Sequence, residues 1–171
     1  MKILGIDPGS VKCGYGIISM PDRKAGLSNT SISGRHYQYV SSGIITMHPT
    51  KLLHVRLKEL YESLSELIAE YQPDEIAVEK MFFAKGIKAA LSLGHTRGVV
   101  LAAAASTGLH IHEYSPLEVK KAVVGYGKAE KSQVQIMVRQ LLGINKQLTP
   151  DSADALAIAI CHVHMKAGAA Y

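Results

Sequence analysis

Lys2-Ile3-Leu4-Gly5-Ile6-Asp7-Pro8-Gly9 reads as a short strand, buried on both faces, that ends in a carboxylate. An apolar run of this length belongs in the middle of a sheet. Pro8-Gly9 predicts a turn directly after Asp7. An acid is thereby set at the tip of a central strand, where open α/β sheets keep their ligands. Taken alone, Asp7 reads equally well as an ordinary turn residue.

Working outward, residues 14–20 read as a second strand and residues 37–47 as a third, which makes an antiparallel meander. Between them, residues 21–35 are rich in Pro, Gly, Ser, Asn and charge and read as a long mobile hairpin loop. Residues 50–71 form the clearest helix, with Leu53, Leu57, Leu60, Leu64, Leu67, Ile68 and Tyr71 in one stripe. Pro73 ends it, and Glu75–Glu79 follows as a strand parallel to the first through a right-handed crossover. A second helix spans residues 86–107. Its small residues allow close approach, either to its own sheet or to another subunit. Then come a strand at His110–Tyr114, a short helix opened by Pro116, a helix over residues 130–142, and a last helix. Thr149 caps that last helix and Pro150 takes its first position; it runs to about Met165. The expected architecture is one α/β domain over residues 1–171, a mixed five-stranded sheet flanked by helices.

Composition narrows the function. A chain of 171 residues with 47% hydrophobic content builds a sizeable core and is not disordered. No apolar run is long enough to span a membrane, and no signal peptide is expected. Cys13 and Cys161 make neither a metal motif nor a disulfide framework, so two reduced thiols and a cytoplasmic location are expected. The net charge is +5 and the pI about 9.2, which points to a polyanionic partner. If four acids share one pocket, 19 bases face 10 acids elsewhere, a surplus of nine.

Those four acids are Asp7, Glu79, Asp151 and Asp154. Asp151 and Asp154 lie three apart on one helix face, and Glu79 ends an apolar strand. Ala155, Ala157 and Ala159 let the last helix lie close to the sheet and carry its acids toward the strand tips. Each feature alone has a bland reading: acids favour helix N-termini and solvated strand ends. Together they predict convergence. Four carboxylates in one place repel unless cations sit between them. Hard oxygen donors suit Mg²⁺, and four negative charges balance two such ions. A pair of divalent ions can drive in-line hydrolysis at phosphorus.

The motifs resemble a known family. Gly5-Ile6-Asp7-Pro8-Gly9-Ser10 with Gly14-Tyr15-Gly16 is similar to the start of the RuvC family of Holliday-junction resolvases. Residues 77–85, residues 93–98 (Leu-Gly-His-Thr-Arg-Gly), residues 119–134 and residues 151–159 match its later motifs in order. The resemblance covers nearly the whole chain. It implies an RNase H-like fold and a homodimer that cuts four-way junction DNA by paired symmetrical nicks, leaving 5′-phosphate ends. It further implies two Mg²⁺ ions per site, with Mn²⁺ as a substitute, and work beside the branch-migration proteins RuvA and RuvB. The family's metal-binding catalytic acids fall on Asp7, Glu79, Asp151 and Asp154, its base-stacking aromatic on Phe82, and its functional lysines on Lys120 and Lys131. The hairpin loop at 21–35 is longer than the family leads one to expect.

Lys121, Lys128 and Lys85 extend the basic set as phosphate contacts, with Lys88 and Arg97 as weaker candidates. Read without the resemblance, these lysines are a solvated face, and Phe82-Phe83 is core material. The histidines are not expected to hold metal. His162 and His164 point to different sides of a helix, and His110 and His112, although on one strand face, give no zinc motif. Three rival functions stand beside the junction nuclease. One is an actin-like ATP-binding protein, because Gly5–Ser10 is also similar to a phosphate hairpin. The others are an RNase H-like nuclease on structured RNA and a non-catalytic junction-binding module. The first needs two domains closing over a nucleotide, and 171 residues scarcely provide one.

Overall fold

The computed structural model describes residues 1–20, 37–80 and 86–168. Phe82, Phe83, Lys85 and the 21–35 loop lie outside the described residues. Five strands, β1 (Lys2–Pro8), β2 (Lys12–Ser19), β3 (Gln38–Thr46), β4 (Glu75–Glu79) and β5 (His110–Tyr114), form one sheet in the order β3-β2-β1-β4-β5. β1, β2 and β3 pair antiparallel, as the meander reading expects. β4 and β5 then add parallel to β1. The helices are α1 (Leu53–Tyr71), α2 (Ile87–Ala105), α3 (Pro116–Val124), α4 (Lys131–Leu142) and α5 (Pro150–Gly168). Among the described residues no helix is long and apolar enough to cross a membrane.

Alternation along each strand sorts the core into two halves. Leu4, Ile6, Ile76 and Val78 face α1 and α2, burying Leu60, Leu64, Ile68 and Val100. Ile3, Ala77 and Tyr114 face the other way, toward α3, α4 and α5. Asp7 shares parity with Ile3, and Glu75 and Glu79 share parity with Ala77, so all three acids turn to the α5 side.

One expectation at β1 is corrected. The strand does not turn after Asp7 but continues through Pro8, with Asp7 opposite Gly14 and Pro8 opposite Cys13. The parallel ladder to β4 ends at Ile6, so β1 is an edge on that side from there on. A proline, which has no N–H to give, is tolerated at such an edge.

α5 is buried almost all round from Ala153 to Val163, between the sheet and the α3–α4 pair. Its closeness to the sheet comes from glycine as well as alanine. A Cβ on Gly5 would stand 2.1 Å from the Ala155 carbonyl oxygen, and one on Gly14 would stand 2.2 Å from that of Asp151. The helix backbone therefore rests directly on β1 and β2. Thr149 caps the helix as expected: its Oγ1 accepts from the Ser152 N–H at 3.4 Å.

Candidate active site

β1, β4 and α5 bring Asp7, Glu79 and Asp154 to one cavity of about 310 Å³, which Lys120 of α3 and Lys131 of α4 also line. Val119, Val134, Ala157 and Ile158 form an apolar wall beneath them. The first turn of α5 spreads its two acids. Asp154 points into the cavity, where its Oδ2 accepts a hydrogen bond from Lys131 Nζ at 2.8 Å. Asp151 lies over β2, outside the cavity lining, yet near enough to raise the pKa of Asp7 and of the buried Cys13 thiol.

The electrostatics are those of crowded carboxylates. Burial pushes Asp7 from 3.8 up to about 7, and Glu79, Asp154 and Asp151 push the same way while Lys131 opposes them. Glu79 is raised by burial and by Asp154, against Lys131 and Arg97. Lys131 is held above its ordinary value chiefly by its hydrogen bond to Asp154. Lys131 thus stands among three of the acids and leaves most of their repulsion uncompensated.

This donor set fits hard divalent cations: oxygen ligands only, excess negative charge, and an open wall for further oxygen ligands. No three of the four acids bring ligand atoms within 4.8 Å of one another; among the described residues only Glu75, His112 and His162 do so. Lys131, bonded to Asp154, offsets part of the repulsion felt by Asp7 and Glu79.

The remaining predicted residues divide. Lys121 and Lys128 are exposed on either side of the break at Gly125 and do not line the cavity. Arg97 is not a free cation: its guanidinium donates to the Glu79 carbonyl and pairs with Glu113. It braces the strand end that carries Glu79, a role hidden in sequence because it joins α2 to β4 and β5. His162 and His164 point different ways, as expected, His162 to Glu75 and His164 to the Ala122 carbonyl. An encounter that spacing along the chain does not reveal is that of His112 and His162, which meet across β5 and α5 beside Glu75.

With that geometry in hand, comparison with known proteins is specific. A sequence family described as Crossover junction endodeoxyribonuclease RuvC matches residues 3–162. A protein of that name from Citrifermentans bemidjiense is 46% identical over 96% of this chain and 93% of its own length. One from Legionella pneumophila is 48% identical over 97% of this chain and 88% of its own. Among solved structures, T. thermophilus RuvC in complex with a Holliday junction superposes with a TM-score of 0.87 at 28% identity, covering 99% of this chain and 96% of that one. The fold is RNase H-like, and the chain belongs to the RuvC family of crossover junction endodeoxyribonucleases.

Proposed function

We propose that this chain resolves four-way DNA junctions by metal-dependent hydrolysis of one phosphodiester in each of two opposed strands. The observation that carries the reading is the cavity where Asp7, Glu79 and Asp154, from three separate elements, face Lys120 and Lys131. Family membership supplies the substrate class, since the T. thermophilus relative is seen on a Holliday junction.

Asp7, Glu79, Asp151 and Asp154 would hold two Mg²⁺ ions, for which Mn²⁺ could substitute. When bound, such a pair supplies an activated water and charge stabilisation at the leaving oxygen. Asp7, at the central strand tip and acted on by the charges of all three other acids, would be a ligand of the pair. Lys131 gives up its bond to Asp154 and turns to a non-bridging oxygen of the scissile phosphate. Lys120 fixes the same strand from α3, and Lys121 and Lys128 hold flanking phosphates. The products carry 5′-phosphates. Phe82 and Lys85, just past Glu79, contact the junction bases and backbone, with Phe82 stacking.

Two active sites are needed for two symmetrical cuts, so the working unit is a homodimer. The exposed face of α2 supports this. Ile87 is 82% and Leu91 59% exposed, and a Cβ added at Gly94 or Gly98 would meet nothing within 4 Å. The small residues of α2 thus favour a subunit interface over tight packing on its own sheet. RuvA and RuvB are the partners in the cytoplasm, delivering the branched substrate.

Asp7→Asn tests the proposal. It is expected to bind a four-way junction in a gel assay while leaving it uncut in Mg²⁺. Cutting at the wild-type rate would remove Asp7 from the mechanism, and equal cutting of structured RNA would reassign the substrate.

A further inference from the structure

The opposite end of the sheet carries a second cluster of ligating side chains. Glu75 opens β4, His112 lies in β5, and His162 comes from the buried fourth turn of α5. His162 Nε2 is 2.5 Å from Glu75 Oε2, and His112 Nε2 is 3.5 Å from that same oxygen. The two imidazole rings are 4.4 Å apart, and all three ligand atoms fall within 4.8 Å of one another. Ligands at ~2.0–2.1 Å from a tetrahedral ion lie roughly 3.3–3.5 Å apart, so adjustments of about 1 Å would complete a shell.

The surroundings are those of ligands already oriented. Tyr114 Oη is 2.7 Å from His162 Nδ1, which turns Nε2 toward Glu75 and His112. A ligating histidine is usually held through its other nitrogen in this way. Lys166 pairs with Oε1 of Glu75 and leaves Oε2 to the imidazoles. Side-chain exposure rises from 2% at His162 through 16% at Glu75 to 40% at His112, so the cluster opens to solvent on one side. Along β4 it stands four residues from Glu79, about 13 Å. Along α5 it stands eight residues from Asp154, about 12 Å. It is not part of the acidic cavity.

We propose that Glu75, His112 and His162 bind a borderline transition-metal ion, Zn²⁺ or Co²⁺, with solvent as the fourth ligand. Two nitrogens and one oxygen suit these ions and not Mg²⁺. Bound there, the ion ties α5 to β4 and β5, the elements that deliver Asp154 and Glu79.

The test is a Co²⁺ titration of the full chain in excess Mg²⁺, followed by visible absorption. One Co²⁺ per chain should give the intense bands of a four-coordinate, imidazole-ligated ion, displaced by Zn²⁺. Ions held by the acids alone are octahedral and only faintly coloured. His112→Ala, at an exposed position, should weaken binding tenfold or more, and Tyr114→Phe by about tenfold. Lys166→Met, also exposed, should tighten binding several-fold by removing a like charge. Absence of the intense bands, unchanged affinity in His112→Ala, or weaker affinity in Lys166→Met would each overturn the site.

Discussion

Glu75 and Glu79 are the same residue type at the two ends of one five-residue strand, facing the same helix. Their ionisation moves in opposite directions. Burial pushes Glu75 up, but hydrogen bonds from Lys166 and His162 outweigh it and leave the carboxyl below its ordinary value. Burial also pushes Glu79 up; there the neighbours are Asp154, which adds to the rise, and Lys131 and Arg97, which do not cancel it. One end of the sheet is settled by opposite charges. The other is held in tension that a folded chain without cations does not relieve. The contrast singles out the end of the sheet where the chemistry is proposed more sharply than the acids' mere presence does.

The comparison breaks most sharply under mutation of the acids. Asp7→Asn and Glu79→Gln should each lower junction cleavage in Mg²⁺ by at least about 10³-fold, the loss of several kcal/mol of ion-derived stabilisation. In EDTA at pH 8, Asp7→Asn should raise stability instead, on the order of 3 kcal/mol by urea unfolding. The sign follows from the raised pKa. Between pH 3.8 and about 7 the folded chain keeps a proton that the unfolded chain has released. Wild-type stability in EDTA should therefore fall as pH rises through that window, and the fall should vanish in Asp7→Asn. A flat profile in the wild type would remove the tension.

Gly5→Ala should cost about 3 kcal/mol or more and cleavage with it, because the new methyl meets helix backbone and not a movable side chain. At the settled end, Glu75→Gln should destabilise by about 1–2 kcal/mol at pH 7, the reverse of the effect of Asp7→Asn. That stability is present above the ordinary value of 4.5 and is lost as pH falls through the lowered folded pKa. The smallest effect belongs to the exposed rim. Lys128→Ala should weaken junction binding uniformly and reduce the salt-dependence slope by about one, with no change in the cleavage pattern.

Most of the frame was legible in the chain because each clue sat within one element. Apolar runs, helix stripes, Pro73 and the Thr149 cap needed no knowledge of neighbours. The acids were legible as strand tips and a helix start, and the family motifs put them in one group. What stayed hidden were meetings between elements. Lys131 bonding Asp154, Arg97 bracing Glu79, and His112 beside His162 each join residues from different elements. Spacing along the chain carries no trace of these. Gly5 and Gly14 were visible as letters, but their role as a bed for α5 exists only once the helix lies on them.

The bed has a mechanical consequence. The turn of α5 that carries Asp151 and Asp154 is gripped by main-chain contact at both ends, Asp151 against Gly14 and Ala155 against Gly5. α3 and α4, which carry Lys120 and Lys131, lean chiefly on α5 and on each other. The anionic jaw of the cleft is thereby bolted to the frame by its backbone, and the cationic jaw is held by side-chain packing, chiefly on one helix. If either side adjusts to a phosphate whose shape changes, side-chain packing yields more readily than backbone contact, which makes it the lysine-bearing one.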